Sequence, residues 1–308
     1  MISVILETLG QQIINALTIG SMYTLVGVGF TLFFGVLGLI NFAHGEVYML
    51  GAFAGLLISQ IVLSFQINGA AYIFLIFICA MAICAIFGVI IERLAYKPIR
   101  GKPKLIMLIT SLAVSILLRE GVKEFFPEGA NPHPFFSPYE SSKLTIGSSQ
   151  IGYNQVLLLV ISLGLITCLY LLVSKTWAGR SMRAISEDQE AAKMMGVNVD
   201  GVIRNAFLLG SALGGAAGVM NGLNYYSVRF DMGWTMAIKG FTAAVIGGLG
   251  NAYGAIVGGY ILGALEVAVI MLIPKGSQYK DVIVFCLLII VLVFRPSGIL
   301  KKAEQKVG

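Results

Sequence analysis

The chain has 308 residues, is 57% hydrophobic and only 12% charged, and has a mean hydropathy of +0.89. A soluble domain carries roughly 25% charged residues, so most of this surface faces something other than water. The net charge of +6 does not mark a nucleic-acid binder, because the basic residues stand between apolar runs, as they do in membrane-flanking loops.

Apolar runs of about 20 residues, the length that spans a hydrocarbon core, recur along the chain. The first covers roughly 13–34, the second 47–65 and the third 70–91. The third stops at ERLAYKPIRGKPK, which holds five basic residues (Arg93, Lys97, Arg100, Lys102, Lys104) against Glu92. A shorter run at 105–118 is followed by the polar stretch 119–152, with Pro127, Pro132, Pro134 and Pro138, three basic and four acidic residues. That balance reads as an external loop. A fifth run at 153–173 leads into the polar stretch 174–205, which has five basic residues, and a sixth run follows at 206–223. The glycine-rich region 241–273 is too long for one span and divides into a short helix, a glycine turn at 247–254 and a full helix. The last run, 282–294, is stopped by Pro296 and followed by Lys301, Lys302 and Lys306.

Three basic segments, 93–104, 175–204 and 295–306, hold 14 of the 21 Lys and Arg residues, and the positive-inside rule puts them in the cytoplasm. The N-terminus and the 119–152 loop are then outside. Nine spans bring the C-terminus inside; if the short piece of 241–273 is re-entrant, the count is eight and the tail lands outside. The expected fold is an all-α polytopic transmembrane bundle of eight or nine spans, a single domain over 1–308 with a cytoplasmic loop at about 174–205.

Glycine spacing adds to hydropathy. Gly210, Gly214, Gly218 and Gly222 recur every four residues, Gly254–Gly258 and Gly259–Gly263 repeat that spacing, and Gly20, Ser21, Thr24, Gly27 and Thr31 share one side of the first span. In lipid no hydrophobic drive pulls helices together, so small residues that allow close backbone approach supply the packing. These faces pack helices or line a path; Thr24 and Thr31 are the candidates for the latter. The four cysteines (Cys79, Cys84, Cys168, Cys286) sit inside apolar runs without metal-type spacing and read as small apolar residues.

Among ionisable residues, Glu266 lies mid-run between Leu265 and Val267. An intramembrane acid is costly, so it reads as a functional candidate or as a hydrogen-bond partner between helices. Asn41, His44 and Glu46 sit where the first span gives way to the second, placed for hydrogen bonds that shape the turn; His44 as a proton relay or metal ligand has no second ligand nearby. Nucleotide chemistry has no home here. Gly101-Lys102 is followed by Pro103 without the upstream glycine of a Walker A loop, and GGLGNAYG places Tyr253 where a dinucleotide fingerprint needs glycine.

The segment SEDQEAAKMMG is the most informative. Ser186 can cap a helix with Gln189 completing a capping box, acids fill the first turn, and Gly196 can take the left-handed conformation that stops it. A cytoplasmic helix over 187–195, about 13 Å long at 1.5 Å per residue, is predicted. EAAKMMG resembles the E-A-A-x-x-x-G loop of ABC importer permeases, and by that resemblance Glu190, Ala191, Ala192 and Gly196 form the coupling helix that docks on an ATPase. GLINFAHGEVYMLGAF (38–53), VIGGLGNAYGAIVGG and the ending FRPSGIL resemble the branched-chain amino-acid permeases of the LivH type, in order and over nearly the whole chain. Val197-Asn198-Val199 stands where other importer families continue I-x-L-P.

The resemblance implies a permease subunit of an ATP-driven importer in the bacterial inner membrane, for leucine, isoleucine and valine or related amino acids. It also implies a second permease (LivM-like) or a second copy, two ATPases (LivG- and LivF-like) that bind ATP and Mg2+, and an external substrate-binding protein. No cofactor is expected in this chain, which is not itself an enzyme. The alternative is an ion-coupled secondary transporter using Glu266 or Glu46.

The loop charges predict sidedness. A cysteine at Lys102 is expected to label only from the cytoplasm and one at Lys143 only from outside; labelling of both from one face would overturn the topology.

Overall fold

The computed structural model describes residues 2–67, 69–139, 143–146, 149–295 and 297–300, so Pro296, Lys301, Lys302 and Lys306 lie outside the described residues. The helices are α1 (Ile2–Leu37), α2 (Ala43–Ser64), α3 (Ala70–Ile91), α4 (Lys104–Phe125), α5 (Tyr153–Lys175), α6 (Trp177–Glu187), α7 (Gln189–Met194), α8 (Val199–Tyr225), α9 (Met232–Gly247), α10 (Ala252–Leu272) and α11 (Gly276–Phe294). α3 continues through a π-helical turn, Glu92–Tyr96, and a 3-10 turn, Lys97–Ile99. Among the described residues, four short strands stand at the loops: β1 (His133–Pro134) pairs antiparallel with β4 (Ser227–Val228), and β2 (Lys143–Ile146) with β3 (Ser149–Gly152).

Helix ends depart from the apolar runs where polar side chains find partners. α4 passes Leu118 to Phe125, carrying Arg119, Glu120 and Lys123 in ion pairs of 3.1 and 3.3 Å. α8 begins at Val199 because Asn198 Oδ1 accepts the amide of Gly201 at 3.0 Å, satisfying a helix-end donor.

Eight helices among the described residues are long and apolar enough to cross a membrane. α1, α8 and α2 form the centre, with 83%, 78% and 61% of their most apolar stretch buried, whereas α4, α5 and α11 bury 17%, 17% and 6% and form the rim. The glycine face of α8 meets a different partner at each turn: Phe33 at Gly210, His44 at Gly214, the Tyr48 carbonyl at Gly218 and Phe135 at Gly222. α10 uses two faces. Gly254 and Gly258 abut Gly247 and Ala243 of α9, while Gly259 and Gly263 abut Thr24 and Gly20 of α1.

Ion pairs from Arg100 (2.5 Å) and Lys97 (3.4 Å) to Asp200 put the 93–104 loop and the start of α8 on one face. The β1–β4 pair lies at the other end of α8. α9 changes face between them. It leaves β4, ends at Gly247, and the turn after it binds residues 299–300 (Ile299 N to Ile246 O, 2.8 Å; Asn251 Nδ2 to Leu300 O, 3.2 Å). That turn also shares a cavity with Ser174, Arg183 and Ser186, so it lies on the face of the 174–205 loop. α9 has 16 residues, roughly 24 Å, shorter than a hydrocarbon core of about 30 Å, and is not among the eight span-length helices.

α2 starts deep in the bundle. After α1, residues 38–42 carry the chain back inward, and His44 stands beside Gly214, fifteen residues or roughly 22 Å along α8 from Val199.

A leucine at Gly218 would drive into the Tyr48 carbonyl, an overpacking cost of about 1–3 kcal/mol or more. Gly164 of α5 has open space around it. Thermal unfolding in detergent should fall by several degrees for Gly218→Leu and stay near the parent for Gly164→Leu; equal behaviour would contradict this packing.

Candidate functional site

Two places concentrate polar chemistry. The first is the α6–α7 loop. Thr176 caps α6, its Oγ1 accepting the Gly179 amide at 3.3 Å, and the helix buries Met182 and Ile185 against the bundle. The expected single helix over 187–195 is broken. Glu187 ends α6, Asp188 is extended, and α7 begins at Gln189. The N-cap is Asp188, not Ser186: its Oδ1 accepts from the amides of Glu190 and Ala191, both at 2.9 Å, while Ser186 Oγ donates to Arg183 O within α6. Asp is as good a cap as Ser, and its extended backbone is what a cap position requires.

The helix stop is where it was expected. Gly196 has φ +83°, its amide reaches Lys193 O at 3.1 Å and Val197 N reaches Ala192 O at 3.0 Å, the paired bonds of a Schellman motif. Glu190 and Ala191 are exposed, and Met194 and Met195 are 81% and 84% exposed. Ala192 is buried against its own chain, so its small size answers to intramolecular packing.

The second place is the bundle interior. Thr24 donates to Ile256 O at 3.2 Å and packs on Gly259, a helix contact. Thr31 lines an apolar cavity of about 290 Å³ between α1, α5 and α10. Asn41 shapes the turn: its Oδ1 accepts the Ala43 amide at 3.1 Å and the Tyr96 hydroxyl at 2.6 Å. His44 does not share that network. Its ring sits between Gly29 and Gly214, edge-on to Phe30 and Phe33 at centroid distances of 5.1 and 5.0 Å. Glu46, in the first turn of α2, accepts from Ser115 of α4 at 3.2 Å and lies against Gly233 in the first turn of α9. The positive ends of two helix dipoles therefore meet at this buried carboxylate.

Glu266 is the centre of a larger network. Oε2 accepts from the Tyr23 hydroxyl and from Lys239 Nζ at 3.0 Å, and Oε1 pairs with Lys280 at 3.0 Å. Lys239 also reaches Asp281 at 2.8 Å. The sequence reading found the acid without its lysines. The signal was a lone lysine in MAIKGFTAAVIG, since a charge in an apolar stretch calls for an intramembrane partner.

Residues 12–292 match the family model described as "Branched-chain amino acid transport system / permease component". The chain belongs to this permease family. Among curated relatives, the high-affinity branched-chain amino acid transport system permease protein BraD of Pseudomonas aeruginosa is 37% identical over 297 residues. LivH of Escherichia coli is 36% identical over 297 residues, and each alignment covers 96% of both chains. The solved structure titled "PsaBC from Streptococcus pneumoniae in complex with Fab" superposes with a TM-score of 0.52 at 12% identity, covering 96% of this chain and 97% of that one, a likeness of fold. The family match runs along the apolar body, over the stretch in which Glu46, Glu266 and the capped loop lie.

Removing the cap should loosen α7 alone. In Asp188→Ala, amide hydrogen exchange at residues 190–195 is expected to speed about fivefold, matching about 1 kcal/mol. Gly196→Val should do so by about 1–2 kcal/mol through the left-handed turn. Exchange in α8 should stay unchanged; unaltered exchange in α7 would refute the capping assignment.

Proposed function

We propose that the chain is the membrane-embedded permease subunit of an ATP-driven ABC importer for branched-chain amino acids in the bacterial inner membrane. The observation that carries this is α7: a doubly capped helix at the basic-loop face that holds Ala191, Met194 and Met195 outward, in a chain of this family. An exposed pair of methionines is a poor solvent surface and a good adaptable contact for a protein partner.

The partners would be two ATPase subunits on that face, a second permease or a second copy within the bilayer, and a substrate-binding protein on the opposite face. ATP and Mg2+ would be held by the ATPases, with no cofactor in this chain. α7 sits on α6, and α6 packs against α5, α1 and α8, so displacement of the loop reaches the central helices directly. Arg100, joined to both Glu92 and Asp200, ties the first turn of α8 to the α3–α4 connection, so these ends would move together.

The rival, ion-coupled transport through Glu266, draws less support from the geometry. Two lysines and a tyrosine engage its carboxylate, which favours a fixed ion pair over a titrating carrier.

Ala191→Arg adds volume and charge to the outward face of α7, and desolvating an unpaired charge costs several kcal/mol. Expression should be near normal while ATPase co-purification and leucine uptake fall together. Uptake by the parent should survive collapse of the proton gradient at constant ATP. Full ATPase retention by the variant, or loss of parent uptake with an uncoupler, would overturn the proposal.

A further inference from the structure

A second cavity, of about 330 Å³, opens among α1, α2, α8, α9, α10 and α11, within the size range of small-molecule sites. Its rim carries Arg229 and Asp231, which follow directly from β4, so it opens toward the face of the β1–β4 pair, opposite α7. The Lys239–Glu266–Lys280 network forms part of its wall. The two lysines are not equivalent. An ammonium has three donors; Lys239 donates to Tyr23 at 3.1 Å and Glu266 at 3.0 Å, is ion-paired with Asp281 at 2.8 Å, and is 6% exposed. Lys280 makes one ion pair among the described residues, to Glu266 Oε1, and keeps 30% of its side chain exposed with donor capacity left.

Opposite charge is on offer at the rim. Asp231 pairs with Arg229 at 2.6 and 3.0 Å and is 44% exposed, so its carboxylate can accept further donors. Met22, Met232 and Met236 also line the chamber. Thioether side chains adapt to differing aliphatic shapes. A ligand matching all three features has a carboxylate, an ammonium and a small branched hydrocarbon.

We propose that this chamber is a substrate-binding site for the free α-amino acid, with Lys280 holding the α-carboxylate, Asp231 facing the ammonium and the methionines taking the side chain; this rests on the importer function above. Lys239 holds Glu266 in place as a positioning residue.

The test uses the assembled importer in lipid nanodiscs without binding protein, its four native cysteines replaced and Thr235→Cys as a reporter on the chamber wall. L-Leucine at about 10 mM is expected to slow alkylation of that cysteine about fivefold, as an affinity near 2 mM requires. Leucinol, which lacks the carboxylate, and 4-methylpentanoate, which lacks the ammonium, should protect much less. Lys280→Gln should abolish protection by leucine, and Lys280→Arg, which keeps the charge, should retain it. Alkylation unaffected by leucine in a complex that imports leucine with ATP would overturn the chamber and leave the importer standing. Protection in Lys280→Gln equal to the parent would overturn the role of Lys280. Conversely, a protected chamber in a complex whose leucine uptake ignores ATP would remove the importer function and keep the site.

Discussion

Lipid tails are as apolar as leucine, so burying a leucine between two membrane helices gains little over leaving it in lipid. What remains to hold this bundle is close backbone contact, and the central helices are arranged to permit it. α10 lies against α1 through Gly259 and Gly263 and against α9 through Gly254 and Gly258. α8 presents a glycine at each of four successive turns to Phe33, His44, Tyr48 and Phe135, which come from α1, α2 and the β1 loop. Large apolar side chains also coat the rim, where Leu117 and Phe294 are 70% and 78% exposed.

Close approach also makes room for polar groups that lipid would otherwise punish. A bundle with α10 pressed between α1 and α9 brings Tyr23, Lys239 and Glu266 within hydrogen-bonding distance of one another. Removing one member of such a set leaves a buried charge, at a cost of about 3–5 kcal/mol. The same tightness lets α2 begin deep in the bundle, its first turn lodged against Gly233 of α9 and its His44 between two glycines. Broken helices at membrane depth are tolerated only where protein encloses the freed backbone, and here α1, α4, α8 and α9 supply that enclosure.

The α6–α7 loop follows soluble-protein rules. α7 has six residues, too few to persist in water by its own propensity, and it is sustained by a cap at each end and by Ala192 packing inward. That arrangement leaves Met194 and Met195 facing outward without weakening the helix. The chain thus presents two faces of different character: a fixed helix on the basic-loop face and a charged, methionine-lined chamber on the other. α8 runs between them, pinned by Asp200 at one end and lining the chamber with Asn221 at the other.

Local composition was enough to determine the membrane class, the position of nearly every span, the glycine faces and the stop at Gly196, because each depends on residues within about one helix turn or one span of each other. Capping detail was legible only in part: Ser186 and Asp188 are both competent caps, and the choice fell to Asp188 because α6 extends through Glu187 on Met182 and Ile185, which pack into the bundle. The start of α9 was hidden because Arg229, Asp231 and Lys239 dilute its hydropathy, and with it went the lysine partners of Glu266. Lys239 and Glu266 are 27 residues apart, on helices joined by a glycine turn. No local pattern carries that pairing, since an ion pair between helices is decided by which faces the backbone contacts bring together.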